Sequence, residues 1–104
     1  MYASYRDLEL EVIRWAEARY IIPRSTPLAQ AIKTTEEVAE LLKALSKGDM
    51  QEARDAYGDV LVTLIVGAAL ADVDLVDCLR EAYGQIKDRK GYLSVDGVFV
   101  KEGA

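Results

Sequence analysis

Twelve consecutive residues, VLVTLIVGAALA from Val60 to Ala71, carry no charge in a chain of 104 residues. A membrane-spanning helix needs about 20 such residues, so the run is too short to be one. Its β-branched residues permit a strand. The run is nevertheless continuous with the polar and apolar pattern of ARDAYGD before it, which favours a helix buried on several sides. A chain of this size buries roughly 60–70% of its unfolded surface and has few other elements with which to wrap such a helix. A second subunit is the expected remedy, giving a helical homodimer or homotetramer.

Around that run the punctuation predicts an all-α, four-helix bundle in one domain over 1–104, with helices at about 4–20, 27–47, 49–72 and 74–89 and a hairpin-like tail over 90–104. Ser4 is the N-cap of the first helix, whose apolar stripe is Leu8, Val12, Trp15 and Ala16. After the loop IIPRST, Thr26 and Pro27 form a second start signal and Gly48 a stop. Asp74 caps the fourth helix, with the stripe Val76, Leu79, Tyr83 and Ile86. The tail carries Asp96-Gly97, a turn dipeptide between two short apolar segments.

The inventory excludes much chemistry. There is no histidine and one cysteine, Cys78, so Ser-His-Asp triads, His-containing zinc sites and an intramolecular disulfide are ruled out. The net charge of −5 argues against stable nucleic-acid binding, which needs an excess of Lys and Arg. Abundant carboxylates without His favour hard cations, Mg²⁺ with Mn²⁺ as its substitute. The opening MYASYRDLEL has no secretory pattern, so the expected location is the cytoplasm, with no membrane partner.

Two acidic ridges stand out. Glu36, Glu37 and Glu40 crowd KTTEEVAELLKAL, where like charges three and four apart repel by a few tenths of a kcal/mol. Glu52, Asp55 and Asp59 share one face of the next helix. The tight turn at 47–49 makes the two helices antiparallel neighbours and puts the ridges at similar height, where four or five carboxylates could converge on one or two Mg²⁺ ions. Pairing of Glu36 with Lys33 and Glu40 with Lys43 along a solvated face is the competing reading. Gly58 tilts the balance toward a site, because a helical glycine costs about 1 kcal/mol and often marks close approach of a backbone or ligand.

EEVAE at 36–40 followed by DAYGDVLVTLI at 55–65 resembles the MazG-like all-α nucleoside triphosphate pyrophosphohydrolases, with their EExxE and later ExxD motifs. The resemblance extends to IRWAEARYIIPRSTPLAQAIKTTEEVAEL and, for short phage-type members, to CLREAYGQIKDRKGYLSVDGVFVKE. It implies metal ligands at Glu37, Glu40 and Asp59, with Glu36 as a further ligand or partner. The ExxD glutamate falls on Ala56 here, and Asp55 is its candidate substitute.

The reaction implied is NTP + H₂O → NMP + PPi on ribo- or deoxyribonucleotides, a house-cleaning activity on the nucleotide pool. Mg²⁺ would neutralise the triphosphate, and Glu36 or Glu37 would accept the water's proton. Lys33, Lys87, Arg89 and Lys90 are candidate cations for the leaving pyrophosphate. Trp15 is a candidate base-stacking residue, although a lone tryptophan on an apolar stripe is more often core. A degenerate nucleotide-binding protein without hydrolysis, or a helical oligomerisation module, is the alternative that Ala56 keeps open.

Overall fold

The computed structural model describes residues 4–103. Five helices and a terminal hairpin follow one another as α1 (Tyr5–Ala18), α2 (Ile21–Arg24), α3 (Pro27–Lys47), α4 (Met50–Leu70), α5 (Leu75–Ile86), β1 (Gly91–Leu93) and β2 (Phe99–Lys101). The all-α architecture agrees with the sequence pattern, and the helix count exceeds it by one. Ile21–Arg24, read as loop, closes a single helical turn in which Ser25 N donates to the Ile21 carbonyl at 2.8 Å. One turn is too short to display a 3.6-residue period. Tyr20, at φ 62° in the left-handed region, redirects the chain from α1 into it.

The caps read from sequence form as expected. Ser4 Oγ accepts from Asp7 N at 3.1 Å, Thr26 Oγ1 from Ala29 N at 3.0 Å, and Asp74 Oδ1 from Val76 N at 2.9 Å. Each such cap stabilises its helix by about 1 kcal/mol. Gly48 takes φ 73°, which closes α3 on its terminal carbonyls, and Asp49 immediately caps α4. The predicted ends at 72 and 89 move inward to Leu70 and Ile86. At the first of these, Asp72 adopts φ 58° and Val73 N returns to the Ala68 carbonyl at 2.9 Å.

Two residues join α3 to α4, so the pair is antiparallel, and it forms the chain's most extensive helix–helix interface. Small side chains permit the close approach: Ala44 on α3 and Ala53 and Ala56 on α4 are all buried. Gly67 belongs to the same seam, where a Cβ would lie 3.3 Å from Gln30 Cβ. Gly58 does not, because a Cβ there meets nothing within 4 Å, so among the described residues no backbone approaches this glycine, and the tight helix–helix contact occurs nine residues later. A hydroxyl chain also crosses the seam: Thr34 donates to Thr63 Oγ1 at 2.7 Å, and Thr63 donates to the Val60 carbonyl at 2.8 Å.

The outer helices are covered far less. On α1 the buried residues are Glu9 and Ala16, whereas Leu8 and Trp15 of the expected stripe stay exposed. Glu9 is only 3% exposed; its Oε1 accepts from Arg6 at 2.7 Å and its Oε2 has no hydrogen-bond partner among the described residues. Arg6 also bonds both oxygens of Asp74, at 3.2 and 3.0 Å, which fastens the start of α1 to the cap of α5. The stripe of α5 faces outward at Leu79, Tyr83 and Ile86.

The β1–β2 hairpin is antiparallel with Tyr92 opposite Val100, and its turn runs from Ser94 to Val98 with Gly97 at φ 81°. Gly91 is obligatory there, since a Cβ would sit 2.2 Å from the Val100 carbonyl oxygen. The radius of gyration, 16.1 Å, exceeds the roughly 13 Å of a compact 100-residue domain. Among the described residues no helix is long and apolar enough to cross a membrane.

Candidate functional site

Where α3, α4, α1 and α2 meet, Trp15, Ile21, Gln30, Lys33, Glu37, Asp59, Val62, Thr63 and Val66 line a pocket of about 470 Å³. That volume is in the range of small-molecule sites. The lining follows from helix periodicity. Gln30, Lys33 and Glu37 recur at i, i+3 and i+7 on α3, and Asp59, Val62, Thr63 and Val66 recur at i, i+3, i+4 and i+7 on α4. Both helices therefore turn one stripe into the same cleft, polar toward Glu37 and Asp59 and apolar toward Val62 and Val66.

Four of the residues singled out from sequence meet here: Lys33, Glu37, Asp59 and Trp15. Of the two readings open for Trp15, core or base-stacking, the core one is not met, because the residue is 45% exposed and lines the pocket. Glu37 is the most enclosed of these acids, its side chain 17% exposed. Lys33 Nζ lies 3.5 Å from Glu37 Oε1 and 3.4 Å from Glu36 Oε2. Glu36, by hydrogen bond and charge, and then Glu37 raise the Lys33 pKa above its ordinary value, so the ammonium stays charged at neutral pH.

The remaining candidates fall elsewhere. Glu36, Glu40 and Asp55 are exposed and outside the pocket lining. Lys87 and Arg89 lie at the far end of α5, also outside it, and Lys90 lines a separate cleft beside the hairpin. Ala56, at the usual place of the ExxD glutamate, is 5% exposed and packed into the α3–α4 seam. Gln30, Val62, Thr63, Val66 and Ile21 were not anticipated. Their signal was present in the heptad-like spacing to Glu37 and Asp59, except for Ile21, whose one-turn helix carries none.

Among the described residues no three Asp, Glu, His or Cys side chains gather closely enough to hold a metal ion by themselves. Glu37 and Asp59 instead present two hard anionic groups across a cleft. This donor set suits a cation such as Mg²⁺, which keeps several waters and commonly takes one or two protein carboxylates plus substrate phosphates.

Comparison with known proteins identifies a family. The family model for phosphoribosyl-ATP pyrophosphohydrolase matches residues 23–84, which contain α3, α4 and every pocket residue except Trp15 and Ile21. An uncharacterized 18.2 kDa protein in the rep-hol intergenic region of Haemophilus phage HP1 is 32% identical over 74 residues, covering 71% of this chain. The match spans 45% of that relative's length. No solved structure matches the chain.

Proposed function

This chain belongs to the phosphoribosyl-ATP pyrophosphohydrolase family, and we propose that it is a Mg²⁺-dependent nucleotide pyrophosphohydrolase that converts nucleoside triphosphates to monophosphate and pyrophosphate. The observation that carries the reading is the single pocket in which Glu37, Asp59, Lys33 and Trp15 meet. Ribo- and deoxyribonucleoside triphosphates are the substrate class, and clearing unwanted nucleotides is the cellular role.

In this account Glu37 and Asp59 hold the cation, with Glu40 and Asp55 as outer acidic partners and Mn²⁺ as a substitute. A cation held there would neutralise triphosphate charge and polarise the phosphoryl oxygens. The chain's own residues do the rest. The carboxylates orient a water toward the α-phosphorus, and the Glu36–Glu37 pair accepts its proton as the new O–P bond forms and the α–β bridging bond breaks. Lys33, fixed by both glutamates, meets charge developing on the phosphates. Trp15 stacks on the base, while Val62 and Val66 exclude water from one wall.

Assembly as a homodimer or homotetramer belongs to the same proposal. Tyr5, Leu61, Leu64, Leu75, Val76, Cys78 and Leu79 line an apolar groove of about 530 Å³ that the described residues leave open. A second copy would cover it.

One observation favours a second reading. With Ala56 buried where the family motif has a glutamate, the chain would bind nucleotide without cleaving it, or act as an assembly module. Pyrophosphate release from a panel of ribo- and deoxyribonucleotides, with Mg²⁺ and with chelator, separates the readings. Metal-dependent release supports the hydrolase. Binding without release favours the degenerate form, and neither favours the assembly module.

A further inference from the structure

The carboxylate pocket is poor in positive charge for the reaction assigned to it. Its one cationic wall residue, Lys33, is shared between Glu36 and Glu37. Lys87 and Arg89 do not reach the lining. A departing pyrophosphate is a polyanion, and its stabilisation needs cations aimed at the β- and γ-phosphates.

Such cations lie next door. Arg19, Tyr20, Ile21, Arg24, Ser25, Thr26, Ala29 and Gln30 line a second cavity of about 560 Å³, and Ile21 and Gln30 belong to both linings. The two spaces are therefore adjoining parts of one cleft. Gln30 and Glu37 are seven residues apart on α3, a rise of about 10 Å, which an extended triphosphate and long arginine side chains together bridge. Gln30 stands at the junction with its amide 3.1 Å from Ser25 Oγ. Among the described residues neither Arg19 nor Arg24 forms an ion pair, unlike Arg6, Arg14 and Arg80. The Arg24 guanidinium lies 5.5 Å from the centre of the Tyr20 ring, a cation–π contact that restrains it without spending its charge.

Resting on the hydrolase reading, we infer that Arg19 and Arg24 form the subsite for the β- and γ-phosphates and hold the pyrophosphate product. The α-phosphate then lies between Glu37 and Asp59, and the β- and γ-phosphates run past Gln30 toward the two guanidinium groups. Guanidinium groups suit the task, because their paired N–H donors match phosphate oxygens two at a time.

The test is calorimetric titration of Mg²⁺-pyrophosphate, and separately of a nucleoside monophosphate, into the full chain and into Arg19→Gln, Arg24→Gln, the double variant and Arg24→Lys. Both arginines are exposed, and circular dichroism verifies that each variant is folded. The double variant is expected to bind pyrophosphate at least about tenfold more weakly, as loss of charged hydrogen bonds implies. Monophosphate affinity should be unchanged, and Arg24→Lys should recover part of the pyrophosphate loss. Pyrophosphate affinity indifferent to the double substitution, equal loss for both ligands, or no pyrophosphate binding by the unaltered chain would each overturn the subsite. Failure of the functional reading has a different signature: no nucleotide is hydrolysed, while pyrophosphate binding still depends on the arginines.

Discussion

The two sides of α4 solve opposite problems. Its α3-facing side is closed by Ala53, Ala56, Gly67 and the Thr34–Thr63 hydrogen bond, small groups that bring two helices together and hold a polar cleft beside the seam. Its other side presents Leu61 and Leu64 to an open groove with Tyr5, Leu75 and Leu79. In a self-sufficient domain the large side chains would be inside, yet here the buried apolar residues are four alanines, Ile65 and Val66. The contrast teaches that one side of α4 is closed within the chain by small groups, whereas the other keeps its large apolar side chains exposed, the side on which the proposed assembly rests.

The largest expected effect is on the closed side. Glu37→Gln should lower the pyrophosphate-release rate by about 10²–10⁴, the usual range for a carboxylate handling the proton or charge, with little change in melting temperature. Glu40→Gln, outside the pocket, should cost far less, and steady-state rates for the two variants measure the difference. Equal losses would break the distinction between pocket and outer carboxylates.

On the open side, if the chain assembles as proposed, Leu64→Asp should leave it monomeric at micromolar concentration, with loss of thermal stability. Each large apolar side chain withdrawn from an interface forfeits about 1.5–3 kcal/mol. Sedimentation analysis reads the outcome, and an unchanged oligomer would place the assembly surface elsewhere.

A smaller effect separates two glycines of α4. Gly58→Ala should stabilise the chain by about 0.5–1 kcal/mol through helix propensity, because the added Cβ enters open space. Gly67→Ala should gain less or nothing, since its Cβ lies 3.3 Å from Gln30. Chemical denaturation of both variants measures the difference.

The smallest effect concerns the exposed bridge from α1 to α5. The hydrogen bond from Arg6 to Asp74, helped by the Val76 amide, lowers the carboxyl pKa below its ordinary value despite some desolvation. The bridge's contribution is therefore present above the unfolded value near pH 4 and is lost as pH falls through the lowered folded value. Asp74→Asn should be less stable than the unaltered chain at pH 7, and the gap should close in acid melts at pH 2–3. A gap independent of pH would mean that capping, not the ion pair, sets the role of Asp74.

Much of this was legible in the sequence because it is local. Ser4, Thr26, Gly48 and Asp74 act within four residues of their own positions, and all end or start helices as read. The two acidic ridges were legible through periodicity plus the tight turn between their helices, and it was the family resemblance that singled out Glu37 and Asp59 within them. The burial of Glu9 was not, because its Arg6 partner is tied in turn to Asp74, a contact 68 residues away in sequence that no local pattern announces. Trp15 and Leu8 looked like core because an apolar stripe does not say whether its covering surface lies in the same chain. At Gly58 no backbone comes close for the same reason: its cost is intrinsic, whereas the packing neighbour is set by how α3 and α4 meet.

The most direct test is a double-mutant cycle for pyrophosphate release across Glu37→Gln, Asp59→Asn and their combination, with Mg²⁺ saturating. If α3 and α4 build one site, each single change costs at least about 100-fold and the combination costs scarcely more than the worse single, as residues acting as one unit do. Substantial activity in either single variant, or losses that simply multiply, would contradict a shared site between the two helices.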